Sequence, residues 1–162
     1  MALGDMFLKV EGSKQGPIKG EAQDEKHPSE IDVLGWSWGM RAQTTMGAAG
    51  ASGKSTLMEL QVSKRVDSAT TGLMSAMRNN EPLKRVILTV RKAGKETLEY
   101  FKITLQQARI TSLDVGSEGG GGETLNENVS FAFKTITVDY VPQGTEGAQR
   151  GGMSFETDVD RV

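Results

Sequence analysis

Apolar and polar residues alternate with a period of two along much of this chain, the spacing of strands that bury one face. Met6, Leu8 and Val10 open the series. Met58, Leu60 and Val62 continue it over residues 56–63, with Glu59, Gln61 and Ser63 on the wetted side. Val86, Leu88 and Val90 fall within residues 83–92. Two further stretches, 97–113 and 126–141, are longer, and in each the apolar phase slips. The first passes from Leu98 and Tyr100 to Phe101, Ile103 and Leu105, then to Ala108 and Ile110; the second passes from Val129, Phe131 and Phe133 to Ile136, Val138 and Tyr140. A one-residue slip marks a β-bulge, which we place near Lys134 and Thr135. Bulged strands bend, and bending closes a sheet into a barrel. One stretch follows the helical period instead: Thr70, Leu73, Met74 and Met77 form a single stripe within residues 68–79. Asp67 or Ser68 can cap it, and Pro82 ends it. A lone amphipathic helix among strands must lie on a sheet or close a barrel end. The expected architecture is mainly β: one domain over residues 1–162, a small barrel of two packed sheets with bulged long strands and one amphipathic helix.

Residues 31–41, Ile-Asp-Val-Leu-Gly-Trp-Ser-Trp-Gly-Met-Arg, contain both tryptophans of the chain. As a strand they place Leu34, Trp36, Trp38 and Met40 on one face and Gly35, Ser37, Gly39 and Arg41 on the other. Two indoles bury a large area, so Trp36 and Trp38 are expected as core anchors. The opposite face is nearly bare, which suits a surface that stays open or lets something pass close by.

Between the strands the chain is polar. Residues 11–29 read as loop; residues 43–53 are small and glycine-rich, and the wider segment 41–56 is expected as a mobile loop. Residues 116–122 form a glycine run, and Lys92 to Lys95 a turn. The tail, 142–162, is polar until Met153, Phe155, Thr157 and Val159 resume the alternation, a segment suited to pairing with an exposed edge, in this chain or on a neighbouring subunit. The 162 residues carry 19 basic and 21 acidic side chains for a net charge of -2. The charges are spread, so no basic stripe marks a nucleic-acid partner and no cluster marks an anionic membrane. No stretch reaches the ~18–20 apolar residues of a membrane span, and no signal peptide is expected. Cysteine is absent, which excludes disulfides and thiolate chemistry and fits synthesis in the cytosol.

Candidate chemistry is sparse. The run from Ala48 to Thr56 is similar to a phosphate-binding loop, yet Ala48 stands where the first glycine belongs, and Lys54 and Ser55 lead into an alternating strand where the motif needs a helix N-terminus. His27 is the single histidine and is expected to be a solvated loop residue, without a base, nucleophile or metal partner. Glu156, Asp158 and Asp160 alternate onto one strand face but lack the spacing of a calcium loop. The Gly119 to Gly122 run lacks the following helix that would suit it to an anion nest. No catalytic arrangement, metal site or cofactor is expected, and the chain is not read as an enzyme.

Several segments resemble the Hcp family (haemolysin-coregulated protein), the tube protein of type VI secretion systems. They are Asp5-Met-Phe-Leu-Lys-Val, Glu30-Ile-Asp-Val-Leu-Gly-Trp-Ser-Trp-Gly-Met, Val90-Arg-Lys-Ala-Gly and Leu125-Asn-Glu-Asn-Val. The similarity runs from about Asp5 to Tyr140; the Trp-Ser-Trp-Gly segment is its most specific part and the tail its least similar. The resemblance implies a small barrel with one helix that assembles as a hexameric ring and stacks into a tube inside a contractile sheath. The tube is expelled with a spike protein at its tip and carries small effector proteins in the bore. The protein is then cytoplasmic before firing and extracellular, or inside a target cell, afterwards. On this view Gly35, Ser37 and Gly39 face the bore, with room for cargo and a hydroxyl for it. The competing reading is that Gly35 and Gly39 are small because another element presses on them. The segment 43–55, with Thr44, Thr45, Met46, Ser52 and Lys54, is expected to reach the next ring of a stack. Ring contacts between neighbouring subunits are sought among surplus apolar positions such as Ile87 and Ile110. Two other classes fit the residues: a phage-type tail-tube protein, and a monomeric β-barrel module binding a ligand beside the tryptophan strand.

Overall fold

A computed structural model describes residues 5–47, 50–92, 98–117, 124–142 and 152–160, with the side chains of 44–53 outside the description. In chain order the elements are β1 (Met6–Gly12), β2 (Gly16–Ile18), β3 (Ile31–Ser37), β4 (Met40–Gly47), β5 (Gly50–Leu57), β6 (Leu60–Arg65), α1 (Thr70–Arg78), β7 (Leu83–Lys92), β8 (Leu98–Ser117), β9 (Leu125–Tyr140) and β10 (Met153–Asp158). Pairing runs β9-β6-β3-β1-β7-β8, and β8 then pairs β9, so six antiparallel strands close on themselves. β2 pairs β1, and β10 pairs the far half of β9, from Met153↔Tyr140 to Asp158↔Thr135. The tail strand thus finds its edge within its own chain. β6 covers the near half of β9, from Arg65↔Asn126 to Leu60↔Phe131, so β10 begins where β6 stops.

The interior is filled, as in other small barrels. Leu8 and Val10, Ile31 and Val33, Leu60 and Val62, Val86 and Leu88, Ile103 and Leu105, and Val129 and Phe131 all point inward and are buried. Ile110, sought as a surface residue, belongs to this core. The β8–β9 ladder stays in register past Lys134, from Gln106↔Thr135 to Ala108↔Phe133; its irregular step lies between Ile110 and Ser112. The inward positions nevertheless change phase on both strands at one level, from Ile103 and Leu105 to Ala108 on β8 and from Phe133 to Ile136 on β9. The bend opposite Lys134 is made on β8, where Gln107 takes a left-handed backbone (φ 52°).

Helix α1 covers one barrel end. It buries Thr70, Leu73 and Ala76, with Ala69 just before it, while Met74 and Met77 of the expected stripe are exposed. The helix is anchored by fully buried Leu73, and its approach is close: a methyl group on Gly72 would meet Ile18 at 3.0 Å. Of the two expected caps, Asp67 accepts the amide of Ala69 at 3.0 Å, ahead of the first turn. Beneath the helix, Lys64 and Glu127 face each other on β6 and β9 and are fully buried. Lys64 Nζ donates to Glu127 Oε2 at 2.7 Å and lies 3.0 Å from Asp67; the Thr70 hydroxyl donates to the same Glu127 oxygen at 2.6 Å. Two charges buried this completely hold only as a pair.

On the outer wall, the segment before β3 is strapped down by charge, and His27 is a correction. It is 8% exposed, with Nδ1 2.8 Å from Glu30 and Nε2 2.5 Å from Glu99, and its ring stacks on Phe7 at 4.6 Å. Arg91 lies over the same Phe7 ring and grips Asp24 with both terminal nitrogens. Those hydrogen bonds hold the Asp24 carboxyl at about 2, below its ordinary 3.8, although its partial burial works the other way. Glu81 is likewise lowered: burial acts to raise it, but the amides of Gln15 and Lys14, each donating at 3.0 Å, win. A solvated loop position does not describe His27, because Glu99 and Phe7 arrive from sequence positions that only the fold brings near.

Two outcomes follow. Replacing Lys64 with Met strands the Glu127 charge and is expected to cost about 3–5 kcal/mol in urea unfolding, most of it recovered when Glu127 is replaced by Leu as well. Because Asp24 titrates lower folded than unfolded, its contribution is complete above about pH 4 and fades as pH falls toward 2. Melting temperatures of Asp24→Asn should therefore sit below wild type at neutral pH and converge with it across that acid window.

Candidate functional site

The tryptophan strand departs from simple alternation at one point. β3 pairs Val33 with Lys64, then Gly35 with Ser63, so Leu34 is an extra residue in the ladder, a bulge. Val33 points in; Leu34 is 49% exposed; Gly35 faces out beside it; Trp36, opposite buried Val62, points in again. Leu34 therefore does not share the tryptophan face, and Met40, also exposed, lies beyond the strand at the start of β4. Trp36 and Trp38 are partly buried and pack against the margin of the core. Trp36 stacks on Phe101 of β8 at 5.4 Å, and the Trp38 indole donates to the Met58 carbonyl at 2.8 Å.

The bare side of β3 continues across three more strands. Register aligns Gly35, Ser63, Asn128 and Asp114 in one cross-strand row, and Ser37, Gln61, Ser130 and Ser112 in the next. These residues line a shallow hollow of about 390 Å³ on the outer wall, floored by Trp36, Val62 and Val129. Ser63 donates to Asn128 at 2.7 Å across the first row. A second hollow, about 370 Å³, adjoins it around Trp38, Gly39, Arg41, Met58 and Glu59. A methyl group on Gly35 would meet nothing within 4 Å, and on Gly39 only the Arg41 side chain at 3.1 Å. Among the described residues no strand or helix presses on either glycine. The three residues of the bare face, Gly35, Ser37 and Gly39, thus sit on one open polar wall. Of its other members, Gln61 and Ser63 lie on the wetted side read from the sequence, Asn128 and Ser130 alternate with buried Val129 and Phe131, and Ser112 and Asp114 of β8 join them only through the β8–β9 register.

Residues 41–56, expected as loop, are instead most of an antiparallel hairpin, paired from Met40↔Leu57 to Gly47↔Gly50. It forms its own two-stranded sheet and joins no barrel strand. The break at Met58 and Glu59 divides the alternation read over residues 56–63 between β5 and β6, and leaves Met58 exposed. Along β3 and β6 the hairpin departs from the end away from Lys64 and α1. Thr44, Thr45, Met46 and Ser52 lie in its strands with their side chains outside the described ones; Lys54 is described and exposed. Lys54 and Ser55 thus sit in a strand, not at a helix start. The Gly119 to Gly122 run lies outside the described residues. Among the described residues no group of three acidic, histidine or cysteine side chains is placed to hold a metal ion, and no helix is long and apolar enough to cross a membrane.

Fold and wall together define a filled barrel that offers other molecules an open outer surface and a hairpin. The family profile described as type VI secretion system effector, Hcp, matches residues 7–140. The chain is 41% identical over 151 residues to protein hcp1 of Pseudomonas aeruginosa, covering 91% of this chain and 90% of that protein. A crystal structure of a type VI secretion system effector from Yersinia pestis superposes with a TM-score of 0.76 at 30% identity, over 96% of this chain and 100% of its own. The Hcp1 protein of an E. coli pathovar shares the fold at a TM-score of 0.79 and 16% identity, over 96% of this chain and 98% of its own. The chain belongs to the Hcp family, the tube proteins of type VI secretion.

An open Gly35 and a crowded glycine respond differently to a methyl group. At Gly20 that group would lie 2.7 Å from the Glu30 carbonyl and 2.8 Å from Ile31 Cα. Gly35→Ala should be neutral or stabilising by a few tenths of a kcal/mol, as expected for relieving a strand glycine. Gly20→Ala should lower stability by more than about 1 kcal/mol in the same unfolding assay.

Proposed function

We propose that six copies of this chain close into a ring whose bore is lined by the polar wall around Gly35, Ser37 and Gly39, and that rings stack into a tube. The observation that carries this reading is the open wall: two rows of small and polar side chains, backed by a filled core, with none of the described residues laid over them. Large side chains there would close a bore; these keep it wide, and Ser37 offers a hydroxyl to whatever passes. The β4–β5 hairpin is the stacking element. A two-stranded hairpin alone is marginal in water, so one whose strands pair only with each other among the described residues gains from a surface to pair against, here the next ring. The face opposite the bore meets a contractile sheath, a spike protein sits on the terminal ring, and small effector proteins ride inside. The chain waits in the cytoplasm and leaves the cell when the tube is expelled.

Native mass spectrometry of the purified chain separates this from a monomeric ligand-binding module. A sixfold mass supports the ring, whereas a monomer at tens of micromolar contradicts it. Ser37→Arg then examines the wall: rings of unchanged mass that no longer copurify effectors place Ser37 in the bore, and unimpaired copurification removes it from there.

A further inference from the structure

The open wall holds a single charge. Of the residues lining the hollow beside Gly35 and Ser37, Asp114 alone is ionisable, amid Ser63, Ser112, Ser130, Gln61 and Asn128. Its side chain is exposed and takes part in no hydrogen bond or ion pair with the described residues, whereas the buried acids Glu127 and Glu81 are bonded. It ends the row that begins at Gly35, three strand spacings away or roughly 14 Å. Nearby cations do not neutralise it. Arg65 lies one row along and two strands across, about 12 Å by lattice spacing, and acts on Asp32 beside it. Arg41 shares the second hollow with Glu59, so that hollow has no net charge. The Arg65 spacing exceeds the ~8 Å over which salt screens exposed charges.

We propose that Asp114 sets the cargo preference of the wall: it favours polypeptide segments carrying Lys or Arg among small polar residues and disfavours acidic ones. This rests on the bore reading above. The serine hydroxyls and the amides of Gln61 and Asn128 accept and donate alike and carry no sign, so they hold polar backbone without discriminating charge. Asp114 supplies the sign, and in a closed ring it recurs once per protomer at one level, so a passing segment meets a girdle of carboxylates. A single exposed ion pair is worth little, about 0.2–1 kcal/mol. Its repetition around a ring multiplies that preference along one chain.

The test uses assembled wild-type rings and three labelled peptides of equal length: a Gly-Ser-Lys repeat, a Gly-Ser-Glu repeat and an uncharged Gly-Ser-Asn repeat. Binding is read by fluorescence anisotropy at low and physiological salt. Wild-type rings should bind the lysine peptide at least fivefold more tightly than the glutamate peptide, with the gap narrowing as salt rises. Asp114→Asn, isosteric and exposed, should erase most of that gap without changing ring mass, and Asp114→Lys should invert it. Glu156→Gln, on exposed β10 away from the wall, should leave it intact. A gap that persists in Asp114→Asn rings, or falls equally in Glu156→Gln, overturns the assignment. Ser37→Arg distinguishes the two levels. If it leaves uncharged-peptide binding untouched, the bore reading itself fails; if it blocks that peptide while Asp114→Asn changes nothing, only the role of Asp114 fails.

Discussion

The ladder between β8 and β9 closes the barrel, and the other features depend on that closure. It runs from Phe101↔Tyr140 to Ser117↔Leu125, the longest pairing in the chain. Once the sheet is closed, each strand residue points either into a packed interior or out to the wall. The interior consumes the large aliphatic side chains, and the wall is free to be small and polar. Closure therefore produces the open polar wall by exclusion: no side chain is needed to build it, only side chains that stay out of the way.

Closure also explains where charge is buried. At the end under α1 the inward row is Val33, Lys64 and Glu127, and there the barrel wall supplies too little apolar surface to finish the core. An ion pair bonded to Thr70 and Asp67 fills the place and links the helix to the sheet. Elsewhere charge straps the outside, where Arg91, Asp24, His27 and Glu99 hold the segment before β3 over Phe7. Both clusters position the wall without lining it.

The hairpin makes the complementary point. Its strands pair only with each other, and Met40 and Leu57 lie at its root, where Leu57 packs against the margin of the core. Such an element has little intrinsic stability and fits a role completed by contact with another molecule. Its composition, alanine, serine, threonine and glycine, conceals a strand from any reading that relies on hydrophobic alternation.

The chain's sequence by itself determined a β-rich barrel with one helix, the bounds of β7, the long strands near β8 and β9, and the bare side of β3, because period-two burial writes itself directly into the order of residues. The resemblance carried by Trp-Ser-Trp-Gly pointed to the family that the comparisons then showed. Tertiary structure alone decided the rest. The bulge at Leu34 turned that residue outward while Trp36 stayed in, since a ladder register is a property of two strands. The helix turned Leu73 and Ala76 inward and left Met74 and Met77 outside, since which edge of an apolar stripe is buried is set by how the helix docks. His27 became a buried strap because Glu99 and Phe7, 72 and 20 positions away, are neighbours only after closure. Asp114 joined the wall of Gly35 for the same reason: what faces outward is set along one strand, but what stands beside it is set by the sheet.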